Sequence, residues 1–203
     1  MGKNTALKLY VDYVEGEWYH IYNVEQFLDN ASTVGNYVIH ADLDFTGKIW
    51  PTSLMYGNFS GSIQGNGYSF KNIELTQTNN AKVNAGLFGQ LTETAQLIDL
   101  TLENVTFTIQ AGTRVVGTSY GLLAGTISAE AVFSNVKIEN STLQIDSGCY
   151  FGVDDYSIGL LCGMGNEAAV DYSGITCVAA GANPETVKIT VNGNAVTVEF
   201  VSE

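Results

Sequence analysis

Basic residues are scarce in this chain of 203 residues: eight Lys and Arg stand against 21 Asp and Glu, a formal charge of −13. Nucleic acid and anionic membrane surfaces bind through Lys and Arg that neutralise phosphates, so neither is expected as a partner. No apolar run approaches the length of a membrane helix, so no membrane insertion is expected. Only 2 Pro accompany 22 Gly. Turns must therefore be made by Gly and Asn, which tolerate positive φ, rather than by proline corners. The 3 Cys, at positions 149, 162 and 177, are odd in number and lack a CxxC spacing. They read as free thiols, with Cys162 and Cys177 as small core residues and one disulfide as the alternative. Neither His20 nor His40 is followed by Glu, and no GxSxG elbow or phosphate-binding Gly loop before a helix occurs. No cofactor and no metal are expected.

What the chain does contain is repetition. "GLFGQLTETAQLIDLTLENVTFTI" (Gly86–Ile109) is followed by a loose copy, "GLLAGTISAEAVFSNVKIENSTLQI" (Gly121–Ile145), and a third begins at "GLLCG" (Gly159–Gly163). Aligned on their ends, the copies place Leu100 over Val136, Leu102 over Ile138, Asn104 over Asn140 and Thr106 over Thr142. "GSIQGNGYSFKNIEL" fits with Ile73 and Leu75 at the Leu100 and Leu102 positions, and "YSGITCVA" adds a copy through Ile175 and Cys177. The successive separations, Ile73 to Leu100, Leu100 to Val136 and Val136 to Ile175, are 27, 36 and 39 residues. Within each copy apolar and polar residues alternate, which marks a strand buried on one face. Short strands at an elastic period, with no crossover helix between them, predict a solenoid, an all-β parallel β-helix; a right-handed parallel β-helix is expected from chain chirality and not from the period. Interior ladders of Leu100, Val136 and Ile175, and an amide ladder of Asn104 and Asn140, are expected from the stacking.

Both ends carry capping signals. "NVEQFLDNA" (Asn23–Ala31) sets Val24, Phe27 and Leu28 at helical spacing behind an N-capping Asn, which predicts a short amphipathic helix over the first coil. "ETVKITVNGNAVTVEFVSE" holds two alternating strands around NGN, a hairpin signal, and Pro184 marks the change from coil to cap. One domain over residues 1–203 is expected, with an N-terminal cap at 1–35, coils at 36–180 and C-terminal capping strands at 181–203.

The pieces "NYVIHADLDFTG", "FSGSIQGNGYSFKNIEL", "AGLFG" and "GLLAG", in that order, resemble the GLUG-repeat β-helix modules of bacterial surface proteins, both IgA-protease-type and adhesin-like. The likeness covers about residues 20 to 180. Gly86, Leu87, Phe88 and Gly89 match the repeat's core, whereas Ala124 stands where the second copy's fourth Gly is expected, with Gly125 one later. The resemblance implies an accessory or structural module and supplies no catalytic residue. The zinc-protease HExxH helix of the IgA-protease-type chains is not found here.

Candidate chemistry is sparse. Asp42 and Asp44 alternate so that both point outward, and they read as turn-bonding or solvated residues. Asp154 and Asp155 share a loop with Tyr150, Phe151 and Tyr156, and aromatics beside carboxylates suit sugar rings or a protein partner. Arg114, the only Arg, belongs to a different loop and reads as a solvated charge. Trp18, Tyr19 and Tyr22 crowd the N-terminal cap. The expected function is a non-catalytic structural or adhesive module of a bacterial cell-surface protein, monomeric rather than trimeric. It would present the Cys149–Tyr156 loop to a glycan or a host or surface protein. The start lacks a signal peptide, so an extracellular or surface location is expected only as part of a longer chain. A bacteriophage fibre or decoration protein and a polysaccharide-active β-helix enzyme are the alternatives.

Overall fold

The computed structural model describes residues 16–78, 83–153, 155–165, 167, 170–180, 186–191 and 193–199. The chain winds as a parallel β-solenoid of about three full turns. A first partial turn holds β1 (Trp18–Ile21) and helix α1 (Val24–Asp29). The next runs through β2 (Asn36–Ile39), β3 (Leu43–Asp44), helix α2 (Thr52–Met55) and β4 (Asn58–Phe59). The full turns are β5 (Ser62–Gln64), β6 (Ser69–Gln77), β7 (Asn84–Ala85) and β8 (Phe88–Leu91); then β9 (Gln96–Ile109), β10 (Arg114–Val115), β11 (Thr118–Gly121) and β12 (Ala124–Ile127); then β13 (Val132–Glu139), β14 (Ser141–Asp146), β15 (Tyr150–Phe151), β16 (Tyr156–Gly159) and β17 (Cys162–Gly165). The last rung comprises β18 (Val170–Asp171), β19 (Ile175–Ala180), β20 (Thr186–Val191) and β21 (Asn194–Glu199).

Stacking these turns produces long faces. One carries β1, β2, β5, β9, β13 and β18 in order and continues around a corner through β3, β6, the second half of β9, β14 and β19. The others are β7, β11, β16 and β20, then β4, β8, β12 and β17, with the short pair β10–β15 between faces. Among the described strands every pairing is parallel except the β20–β21 hairpin, which forms where the NGN signal placed it. No helix among the described residues is long and apolar enough to cross a membrane.

The expected helical cap forms as α1, between two ladder strands. The Asn23 side chain accepts from the Gln26 backbone N–H at 2.9 Å and so satisfies one of the open amides of the first turn. Phe27 is driven fully into the bore, where its ring meets Tyr37, Phe45, Trp50 and Phe70 at centroid distances of 5.2–5.9 Å. Trp50 satisfies its indole N–H on the Leu87 carbonyl at 2.7 Å, so it can be buried without an orphan donor. Fully burying such side chains contributes roughly 1.5–3 kcal/mol each.

The register corrects part of the expected alignment. Leu100 does lie beside Val136, Leu102 beside Ile138, and Thr106 beside Thr142. Ile73 and Leu75, however, pair with Val105 and Phe107, and Phe70 takes the place beside Leu102. Ile175 pairs with Ser141, and Cys177 with Leu143, while Val170 occupies the Val136 column. The cause is degeneracy: apolar pairs two residues apart recur along β9, as at Leu100/Leu102 and Val105/Phe107, and alternation alone cannot choose among these seats. The corners choose. Asn72, Asn104 and Asn140 all adopt left-handed backbone, at φ 58, 55 and 50. Asn104 donates to the Asn72 side-chain oxygen at 2.6 Å, and Asn72 donates to Asp44 at 2.8 Å. The amide ladder that forms runs from Asn104 through Asn72 to the Asp44 carboxylate, on the other side of Asn104 from the expected partner Asn140. It sets an offset of 32 residues between these coils, where alternation alone gave 27.

The Gly-Leu repeats are explained by a close approach of backbones. Gly57, Gly89, Gly125 and Gly163 occupy one column, because Gln90 registers with Asn58 and Ala124 registers with both Phe88 and Cys162. A Cβ on Gly125 would lie 2.5 Å from the Ser119 carbonyl oxygen and 2.7 Å from the Ala85 nitrogen. The apparent mismatch at Ala124 is therefore a one-residue extension of the corner, with Gly125 as the true counterpart of Gly89. Gly125→Ala is expected to lower stability by about 3 kcal/mol or more through this overpacking. Gly67→Ala, at φ +80 with nothing near its Cβ position, should cost only about 1 kcal/mol of backbone strain. Denaturant midpoints of the two variants check the difference.

Candidate functional site

The Cys149–Tyr156 loop is attached to the solenoid at three points. Cys149 is buried, with its thiol directed at the carbonyls of Gln110 and Ile109 at 3.4 and 3.6 Å. The β15 strand pairs with β10 of the preceding coil, Tyr150 beside Arg114 and Phe151 beside Val115. At the far end the Asp155 carbonyl accepts from the Gly117 N–H, and Tyr156 enters β16. Strand alternation then sends neighbouring aromatics apart. Phe151 and Tyr156 lie half-buried with rings 5.4 Å apart, while Tyr150 is 60% exposed.

Stacking brings a residue to this loop that the chain order had separated from it. Arg114 lies with its guanidinium carbon 5.1 Å from the centre of the Tyr150 ring, a cation–π contact on the outer surface. Arg114 is exposed, as expected of a solvated charge, but it is not remote from the aromatic loop: the coil period lays it on Tyr150. Its five N–H donors form a planar fork suited to carboxylates and to paired hydroxyls. On the other side of the loop a cleft of about 370 Å³ opens between the loop and the closing hairpin. Gly152, Val153, Tyr156 and Ile158 form one wall, and Lys188, Ile189, Thr190 and Ala195 the other. The Tyr156 hydroxyl accepts from the Lys188 backbone N–H at 3.5 Å, which links the walls at the base. Val153 is 93% exposed at the rim. Of the expected residues, Tyr156 lines this cleft, Phe151 supports it, Tyr150 faces outward with Arg114, and Asp155 is exposed beside Gly117. Asp154 lies outside the described residues. The signal that could have found Arg114 is the 36-residue offset between the second and third full turns, which equals the separation of Asp99 from Asn135 along the chain.

The other candidates have structural employment. Asp42 and Asp44 are both exposed, as alternation predicted. Asp42 accepts from the Ser69 N–H at 2.9 Å and pairs with Lys71 at 2.8 Å. Asp44 accepts from the Thr46 hydroxyl and N–H and from Asn72. Hydrogen bonds from Asn72 and Thr46 hold the Asp44 carboxyl down at about 2. Tyr19 packs on the core and stacks with Tyr37 at 5.8 Å, while Trp18 is half-buried in β1. All three cysteines are free, and burial first of all pushes their thiols up, Cys149 and Cys177 to about 11 and Cys162 to about 12. No group of three or more metal-ligating side chains occurs among the described residues.

In comparisons with known proteins, no family model, no curated protein and no solved structure matches the chain.

Two outcomes follow from these ionisations. Asp44 ionises more readily folded than unfolded, so its contribution to stability is present above its ordinary value of 3.8 and is lost as pH falls toward about 2. The thermal midpoint of Asp44→Asn should therefore fall less steeply than wild type over that interval in a pH series of melts. The cysteines should react with a thiol reagent at pH 8 far more slowly in the native chain than in denaturant, because little thiolate forms and access is poor.

Proposed function

We propose that the chain is a non-catalytic binding module of a bacterial surface protein, with the Arg114–Tyr150 pair and the adjoining Tyr156 cleft as its ligand-facing surface. The observation that carries this reading is the exposed Tyr150 ring held under Arg114 on a loop fixed by β10–β15 pairing. Such a platform needs little ordering when a ligand arrives, because Tyr has few rotatable bonds and the strand beneath it is already paired. A flat aromatic face suits the C–H face of a sugar ring, and a guanidinium fork suits its hydroxyls or a carboxylate. The neighbouring cleft offers a second aromatic, Tyr156, with an apolar floor at Ile158 and Ile189. Glycan recognition is the reading preferred, because an exposed ring beside a guanidinium fork offers both the stacking face and the hydrogen-bond donors that a sugar uses.

Catalysis has less support. Glycoside hydrolysis needs two carboxyl groups free to work across one bond. Asp42 and Asp44 are committed to Lys71, Ser69, Thr46 and Asn72 instead. The proposed role is thus presentation: a stiff solenoid that carries a loop.

The test is a glycan array probed with the purified chain, together with its mass by light scattering. A monomer that binds a defined set of glycans is expected. Tyr150→Ala should weaken that binding about tenfold or more, as truncation of an aromatic anchor does, and Arg114→Ala should weaken it as well, without loss of the folded state by circular dichroism. A stable trimer that binds nothing on the array would overturn the proposal and favour a fibre subunit.

A further inference from the structure

The paired imidazoles at the N-terminal end of the first face have no part in the surface described above. His20 lies in β1 opposite Val38, so His40, two residues further on, is its diagonal neighbour on the same face. The ladder continues through the His40 N–H, which donates to the Ile21 carbonyl at 2.8 Å. The rings then meet directly: His20 Nδ1 and His40 Nε2 are 2.8 Å apart. Their centroids are 5.1 Å apart with planes 21° from parallel. Since the nitrogens are so much closer than the centroids, the rings lie edge to edge in nearly one plane rather than face to face. The face of His40 is occupied by Tyr22, at 4.6 Å and 12°.

Two ring nitrogens that face each other hold one proton between them; where one carries N–H, the other presents its lone pair. A cation able to accept both lone pairs can take the proton's place. We propose that His20 and His40 form a binding site for a divalent transition ion, Cu(II) or Zn(II), that bridges β1 and β2. Imidazole nitrogen is a preferred donor for both ions and binds at about 2.0–2.1 Å, so two such ligands at cis or tetrahedral angles sit about 2.8–3.4 Å apart. The pair already has that spacing. Insertion of the ion requires a swing of the His20 ring, which is exposed, while Tyr22 holds His40 in place. Solvent supplies the remaining ligands, because the site is at the surface. The formal charge of −13 favours the approach of a cation. The consequence is mechanical: β1 pairs with β2 alone among the described strands, and the ion would staple this outermost rung to the next.

Calorimetric titration of Zn²⁺, and separately of Cu²⁺, into the purified full chain at neutral pH tests the site. One equivalent of either ion is expected, with Cu²⁺ the tighter, and each of His20→Gln and His40→Gln should weaken binding at least tenfold. Zinc should also raise the thermal midpoint of the wild type and not of the variants, as any ligand selective for the folded state does. Absence of uptake at submillimolar ion, or equal uptake by wild type and both variants, would overturn the proposal. Should a variant fail to fold, substoichiometric Cu²⁺ added to the wild type decides: selective broadening of the two imidazole C–H resonances supports the site, and unbroadened signals refute it.

Discussion

The coil-to-coil backbone ladder is the interaction on which every other feature rests. A strand such as β12 has neither the length nor the apolar area to persist alone, and it becomes stable only between β8 and β17. Stacking in register does two things at once. It satisfies the amides of each strand on its neighbours, and it closes a bore into which Leu97, Leu100, Leu102, Val105, Phe107 and Ile109 of a single strand can turn. Because each coil is both template and product of the next, the two ends are where the design is exposed. Phe27 of α1 fills the bore at one end, and the antiparallel β20–β21 hairpin breaks the parallel ladder at the other.

Tolerance of the ladder to changing coil length depends on its corners. Asn72, Asn104 and Asn140 turn the chain with left-handed backbone, and Gly57, Gly89, Gly125 and Gly163 let adjacent backbones approach where a side chain would intrude. Between these fixed points the segments around Gly112 and Gly152 can differ in length from coil to coil without disturbing the stack. The Cys149–Tyr156 loop is such a segment, yet it is held firmly: by the Cys149 thiol on two carbonyls, by β10–β15 pairing, and by the Asp155–Gly117 backbone bond. A loop fixed at three points can carry a binding surface at little entropic cost, and the same pairing sets Arg114 on Tyr150.

Alternating strands, elastic repeats, Gly-rich corners, the Asn23-capped helix and the NGN hairpin were all legible in the residue order, because each is a local consequence of backbone sterics and side-chain period. The aromatic crowd at positions 150, 151 and 156 was legible too. Its division into an outward Tyr150 and an inward Phe151–Tyr156 pair was not, since that depends on which face of β15 the solenoid covers.

The sequence by itself determined a repeating architecture of strands buried on one face, with a short helix before the coils and a hairpin after them, because each follows from local side-chain period and turn chemistry. Only the tertiary structure decided the register: that Ile73 lies beside Val105, that Ile175 lies beside Ser141, that His20 meets His40 and that Arg114 lies on Tyr150. Alternation repeats every two residues and leaves several alignments nearly equal in apolar burial. What separates them is the fit of left-handed corners and crowded glycine backbones between coils, and that fit is a property of the stack and not of any one strand.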